Sequence, residues 1–67
     1  MNIILIVAKH MIGVAAPDCV GVDIPEGHNY IITGDFGYMG STITRKEAFE
    51  VANVDAAANN AQVMIEE

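Results

Sequence analysis

Six side chains of types that bind metals or carry out catalysis lie in the first 28 residues: His10, Asp18, Cys19, Asp23, Glu26 and His28. Zinc sites usually combine pairs of ligands that are two to four residues apart in the chain. Asp23, Glu26 and His28 come closest to that spacing, but they straddle a turn signal and have no second pair. The pattern therefore predicts solvated loop residues, with no metal and no other cofactor.

Cys19 is the only cysteine, and a neighbouring histidine could activate it as a nucleophile. One thiol and two histidines are so common, however, that the combination indicates little. A chain of 67 residues also has little interior from which to build a dry cleft. We therefore expect no enzymatic activity and interpret Cys19 as a small buried hydrophobic residue. A lone thiol suits a reducing cytoplasm better than a secreted, disulfide-built fold.

The segment 34–40 has a glycine at every third position, ahead of a helix start at Thr44. Glycine allows close backbone approach, and a helix N-terminus offers N–H groups to an anion. Side chains that would help to hold the anion are Ser41, Thr42 and Arg45. The spacing matches neither the dinucleotide fingerprint nor the phosphate-loop motif, and Asp35 would repel an anion. An anion site at this loop is retained only as an alternative.

The same segment carries three bulky side chains, Phe36, Tyr38 and Met39. Aromatic anchors dominate the binding energy of many protein interfaces, so all three are candidates for contact with a partner. The other interpretation is that they fold down over the sheet and complete a thin core. We expect that packing for Phe36, while both interpretations stay open for Tyr38 and Met39.

Nine acidic residues face only three basic ones, and the formal net charge is −6. Direct nucleic-acid binding needs cations that displace counterions from phosphates, so it is not expected; nor is binding to anionic membranes. A basic protein surface is the complementary partner. The acids that precede the helix are Asp18, Asp23, Glu26 and Asp35. They would imitate nucleic-acid phosphates if they converged on one face; the alternative is a dispersed surface that serves solubility.

Residues 3–7 form an aliphatic, largely β-branched run, which predicts a central strand buried on both faces. The run is too short to span a bilayer, which takes about 20 residues, so we interpret it as a strand rather than a targeting segment. A weaker second strand is expected at 11–16, with one long strand bent at Gly13 as the alternative. Residues 17–27 are predicted to form a loop that includes a short edge strand at 19–24, and a further strand follows at 28–33. Residues 41–43 are either loop or a short strand.

Thr44 and Glu47 have the spacing of a capping box, which predicts a helix start. Four apolar residues at helical spacing, Ala48, Val51, Ala52 and Val54, would face the sheet, with a kink or fresh turn at Asp55 as an open alternative. Asn59-Asn60 marks the helix end, and 62–66 forms a last strand. The result is one α+β domain over residues 1–67, with order β-(β)-β-α-β and a three- to four-stranded sheet against one helix. The connection through the helix is a crossover, right-handed if its strands are parallel.

The short chain, its net charge of −6, its α+β layout and its lack of a catalytic motif resemble the small acidic inhibitor proteins of phages and mobile elements, anti-CRISPR proteins above all. The glycine loop leading into Thr44-Arg45-Lys46-Glu47 also looks like small phage proteins. Those inhibitors share no common fold, so the resemblance assigns no residue roles. It implies a protein that binds a Cas or other nucleic-acid-binding complex in the host cytoplasm and blocks it.

The sequence therefore predicts a non-enzymatic inhibitor that docks on a basic protein through four acids and three anchors: Asp18, Asp23, Glu26, Asp35, Phe36, Tyr38 and Met39. The hydrophobic share of 52% is high for a small domain, which favours burial of some apolar surface between subunits. A self-associating structural or accessory protein, such as a homodimer, is accordingly the alternative beside the anion binder.

Overall fold

The computed structural model describes residues 2–67, which form a four-stranded mixed sheet with strand order β3-β2-β1-β4. The strands are β1 (Asn2–Ala8), β2 (Tyr30–Gly34), β3 (Gly40–Thr42) and β4 (Ala61–Glu66). β1 pairs antiparallel with β2 and parallel with β4, while β2 pairs antiparallel with β3. The helices are α1 (Ile12–Ala15) and α2 (Arg45–Asn59). The predicted α+β fold, a small sheet packed against one long helix, is confirmed.

β1 lies inside the sheet and is buried on both faces, as its apolar run predicts. Ile4 and Ile6 point to the side covered by α2, where they form a core with Ile32. Val7 points to the other side and packs with Ile31. Because side chains alternate between the faces of a strand, an unbroken aliphatic run is stable only where both faces are covered.

The start and end of α2 follow from local signals in the sequence. The Thr44 side-chain oxygen accepts a hydrogen bond from the Glu47 N–H at 3.2 Å, and the Glu47 carboxylate accepts one from the Thr44 N–H at 3.3 Å. This capping box supplies partners for backbone groups that a helix start leaves open. The helix ends before Asn60, which has a left-handed backbone with φ of 51°. It runs unbroken through Asp55. No helix among residues 2–67 is long and apolar enough to cross a membrane.

The face of α2 that packs on the sheet differs in part from the prediction. It consists of three alanines at i, i+4 and i+8: Ala48, Ala52 and Ala56. The prediction that Val51 and Val54 also face the sheet is wrong, since they are 43% and 69% exposed. The sheet presents large isoleucines on this side, so the small alanine side chains let the helix approach closely. Hydrophobicity alone does not show which of two neighbouring rows of apolar residues on α2 faces the sheet.

Residues 9–24 cover the second face of the sheet with short helical turns. The strands predicted at 11–16 and 19–24 are wrong: the chain forms a 3₁₀ turn (Lys9–Met11), α1 and a second 3₁₀ turn (Pro17–Cys19) instead. Helical turns satisfy their N–H groups locally, as in the 3.0 Å bond from the Cys19 N–H to the Ala16 carbonyl oxygen. Cys19 is buried at 4% exposure, as expected for a small hydrophobic residue. Of residues 41–43, Ser41 and Thr42 belong to β3, while Ile43 follows it.

Gly34 lies where β2 comes closest to the backbone of β1. A Cβ atom added there would overlap the Ile3 carbonyl oxygen, whereas one added at Gly13 in α1 would meet no atom within 4 Å. We expect Gly34→Ala to lower the free energy of unfolding by about 1–3 kcal/mol, because two backbones must separate. Gly13→Ala, the matched control, should raise it by up to about 1 kcal/mol through helix propensity. Urea denaturation followed by circular dichroism measures both values; equal stabilities would contradict the close approach.

Candidate functional site

The pairing register sorts the loops onto two ends of the sheet. Tyr30 pairs with Ala8 on one side and with Thr42 on the other, so the residues beyond these three positions share one end. Gly34 pairs with Ile4, which places the β2–β3 loop (residues 35–39) at the opposite end. Almost all of the side chains with functional potential lie at one end or the other.

The β2–β3 loop is tied to β1 at its first residue. The Asp35 carboxylate accepts a hydrogen bond from the Ile3 N–H at 3.1 Å, and the Asp35 N–H donates to the Ile3 carbonyl oxygen at 3.3 Å. Gly37 closes the turn by donating to the Gly34 carbonyl oxygen at 2.9 Å, with a φ of 92° that favours glycine. The Asp35 carboxylate is therefore held in a defined position while its residue stays exposed.

The three bulky residues of this loop have different environments. Met39 packs against the core under α2, and its N–H donates to the Ile32 carbonyl oxygen at 2.8 Å. Phe36 is 59% exposed and Tyr38 is 40% exposed. The expectation that Phe36 folds over the sheet is wrong: Met39, which is hydrogen-bonded to β2, packs there, and Phe36 lies in the turn that Gly37 closes. Large aromatic groups in solvent are candidates for contact with another molecule.

Asp18 reaches the same end of the sheet from the second 3₁₀ turn. Asp18 and Asp35 both line a pocket of about 250 Å³ on the face opposite α2. Leu5, Ala16 and Pro17 contribute apolar groups to its wall. We call Asp18, Asp35, Phe36 and Tyr38 the acidic-aromatic end. The sequence shows these residues, but it gives no signal that positions 18 and 35 share a pocket.

Two of the predicted acids lie elsewhere. Glu26 is in the turn before β2, where the His28 N–H donates to the Pro25 carbonyl oxygen at 3.1 Å, and so it lies at the other end of β2 from Asp35. Asp23 is exposed between two residues, Val22 and Ile24, that pack on the second core cluster. The four acids therefore do not form one continuous patch; only Asp18 and Asp35 line a common pocket.

The opposite end of the sheet holds every lysine and arginine of the chain. Lys9 follows β1, and Arg45 and Lys46 begin α2. The Arg45 Nε donates to both carboxylate oxygens of Glu67, at 3.1 and 3.3 Å, and its guanidinium carbon lies 4.8 Å from the centre of the Phe49 ring. We call Lys9, Arg45 and Lys46 the basic end. A pocket of about 440 Å³ opens beside Lys9.

The clustering of the three basic residues was not predicted from the sequence, although the order of strands and helices contains a signal for it. Lys9 follows β1, and Arg45 and Lys46 follow β3. Both strands run antiparallel to β2 and therefore end at the same edge of the sheet. His10 also lies here, with its Nε2 at 2.9 Å from the Glu67 main-chain oxygen. The chain therefore gathers all its lysines and arginines at one end of the sheet, where Glu26 and Glu67 also lie.

The anion site considered for segment 34–40 lacks the arrangement it would need. β3 separates the β2–β3 loop from the start of α2. The helping side chains are engaged: Ser41 Oγ lies 2.7 Å from His28 Nδ1, the Thr42 hydroxyl donates to the Thr44 carbonyl oxygen at 2.9 Å, and Arg45 binds Glu67. Within residues 2–67, no group of three or more His, Cys, Asp and Glu side chains is placed to hold a metal ion.

No family model matches this chain, and neither a curated protein nor a solved structure matches it. Its function has to be inferred from its own geometry and charge. The acidic-aromatic end is the strongest candidate for a binding surface, because it combines exposed aromatic side chains with a pocket and two carboxylates.

Phe36 and Met39 differ in what they contribute to the folded state. We expect Phe36→Ala to change the free energy of unfolding by less than about 0.5 kcal/mol, because the ring is largely in solvent. Met39→Ala, three residues away, should cost about 1–2 kcal/mol because its side chain packs under α2. Thermal and urea denaturation of the two variants compare them directly. A Phe36→Ala variant as unstable as Met39→Ala would show that the ring serves the core.

Proposed function

We propose that this chain is a non-enzymatic inhibitor that docks its acidic-aromatic end on a basic surface of a nucleic-acid-handling protein complex. The observation that carries the proposal is the pair of exposed aromatic side chains, Phe36 and Tyr38, in the same loop as the anchored Asp35 carboxylate. Because the Phe36 ring is 59% exposed, burial against a partner would remove more of its apolar surface from water than its packing in the fold does.

The charge distribution supports the same docking direction. In the described part of the chain, the acidic-aromatic end contains no lysine or arginine, so a cationic partner meets only carboxylates there. The basic end mixes its three cations with acids, including Glu26 and the Glu67 that binds Arg45. Complementary potentials of this kind speed encounter and select orientation. The net charge of −6 adds a long-range attraction that any basic groove would experience.

The target class that we propose is a guide-RNA-directed Cas complex, as for small inhibitors of the anti-CRISPR type. Such complexes hold nucleic acid in a positively charged channel. A compact anionic protein in that channel would exclude the nucleic acid, with the Asp18 and Asp35 carboxylates in place of phosphates. The setting proposed for this activity is the cytoplasm of a host cell that is infected by a phage.

Charge reversal at the acidic-aromatic end tests this proposal. Purified Cas effector complexes are mixed with the chain, and binding of labelled target DNA is measured at low and physiological salt. We expect the native chain to inhibit DNA binding and the Asp18→Lys/Asp35→Lys variant to inhibit at least about tenfold less, because close charge pairs contribute more than about 1.4 kcal/mol.

The matched control is Glu50→Lys/Glu66→Lys, which has the same net charge as the test variant but alters exposed positions on α2 and β4. It should inhibit nearly as well as the native chain. Equal losses in both variants would mean that net charge alone matters and that the acidic-aromatic end is not the docking surface. If the native chain inhibits none of the complexes at micromolar concentration, the proposed target class is wrong.

Self-association in a structural or accessory role is a second candidate, favoured by the exposed edge of the sheet. β4 is an edge strand, and its six residues contain no proline or lysine that would discourage pairing with another chain. Met64 is 44% exposed on this strand. Two copies of β4 could pair antiparallel and extend the sheet.

This candidate is tested by sedimentation velocity over a wide range of protein concentrations. The native chain should form a dimer as its concentration rises, and Met64→Lys should remain a monomer because like charges would meet near the strand centre. Val54→Lys, at an exposed position on α2, serves as the control and should still dimerise. A native chain that stays monomeric at millimolar concentration would exclude this role.

A further inference from the structure

We infer that the pocket lined by Asp18 and Asp35 receives one lysine or arginine side chain of the protein partner, with its aliphatic stem against the pocket wall and its cationic head at the carboxylates. This inference rests on the proposed function, since it gives the partner chemistry for the acidic-aromatic end. It needs no particular partner, however, and is tested separately.

The size and wall of the pocket suit a single side chain. Its volume is about 250 Å³, below the roughly 300–1,000 Å³ that is usual for pockets of drug-sized ligands. Leu5, Ala16 and Pro17 present methyl and methylene groups along the wall. Long cationic side chains bury their methylene stems along apolar surface while the charged head stays near water. The pocket therefore accommodates both the aliphatic stem and the charged head of such a side chain. A bare cation would use only the carboxylates.

The two carboxylates are prepared to receive a cation. Asp35 has one oxygen, Oδ2, held by the Ile3 N–H at 3.1 Å, which leaves further lone pairs for a guanidinium or ammonium donor. Asp18 is exposed on the 3₁₀ turn. Among residues 2–67 the one ion pair is Arg45 with Glu67, at the basic end, so the described chain supplies no cation to Asp18 or Asp35.

A buried hydroxyl-bearing residue, Thr33, also lines the pocket. Thr33 is only 9% exposed, and its Oγ1 accepts from the Cys19 thiol at 3.7 Å. A thiol is a weak donor, so the Thr33 oxygen keeps capacity for a stronger one. A cationic head that reached this oxygen would form a charge-assisted hydrogen bond, which is roughly twice as strong as a neutral one.

A partner's side chain explains more of this surface than other cations do. Mg²⁺ and Ca²⁺ bind through hard oxygen ligands alone and would make no use of the apolar wall formed by Leu5, Ala16 and Pro17. A free polyamine shares the stem-and-charge chemistry, but it would leave Phe36 in solvent at 59% exposure. A protein that inserts a lysine or arginine brings the surrounding surface needed to cover the ring.

The experiment is a titration of the full ¹⁵N-labelled chain with small probes, followed by amide chemical shifts. The probes are N-acetyl-arginine methylamide, N-acetyl-lysine methylamide, the uncharged isostere N-acetyl-citrulline methylamide, guanidinium chloride and spermidine. We expect saturable shifts with at least one of the two cationic amino-acid probes at Leu5, Asp18, Thr33 and Asp35. The citrulline probe, which lacks the charge, and guanidinium, which lacks the stem, should each bind about tenfold more weakly.

Asparagine substitutions separate the pocket from net charge. Asp18→Asn, at an exposed position with no hydrogen bond to its side chain among the described residues, should weaken binding of the better cationic probe several-fold without unfolding the chain. Asp18→Asn/Asp35→Asn should abolish it, since an amide oxygen at position 35 can still accept from the Ile3 N–H and keep the loop in place. Glu50→Gln/Glu66→Gln changes net charge equally and should leave binding intact.

Four results would overturn the inference: citrulline binding as tightly as the charged probes, unchanged affinity in the double asparagine variant, shifts that map to the basic end, or spermidine binding these residues more tightly than either amino-acid probe. The last would assign the pocket to a free polyamine. Pocket binding without inhibition of any Cas complex would refute the proposed target class and leave this inference standing.

Discussion

The whole architecture depends on covering both faces of β1. Its aliphatic run places Ile4 and Ile6 on one side of the sheet and Val7 on the other, and all three are fully buried. A domain of this length has little surplus chain for two covering layers. α2 provides one layer and residues 9–24 provide the other, so most of the chain outside the strands covers the two faces of β1 and its neighbour β2.

That commitment explains why the functional potential lies at the two ends of the sheet. The helix and the second layer fill the two faces, and the interior they enclose consists of small and aliphatic side chains. Loops that leave the strands have no further core to join. Phe36, Val54 and other large apolar groups consequently stay in solvent, and charges collect where the strands begin and end. The docking proposed for this chain would use one of these two ends.

Features specified by neighbouring residues were predictable from the sequence. The capping box at Thr44 and the helix end at Asn60 depend on contacts within a few positions. The failures involve choices made by distant residues. Residues 11–16 have strand-like composition but cover a sheet face, where helical turns satisfy the backbone locally. Val51 is more hydrophobic than the alanines, yet the isoleucines of the sheet leave room only for the smaller side chain.

By itself, the sequence determined the charge, the doubly buried central strand, the extent of α2 and the presence of acids and aromatic residues in the loops. Only the tertiary structure decided which of those residues meet. Antiparallel pairing of β1 with β2 brings Asp35 to the start of β1, and the second covering layer carries Asp18 to the same pocket. The same register sends Glu26 to the opposite end. Strand register and layer packing are long-range properties, so the spacing of acids along the chain cannot reveal which carboxylates share a site.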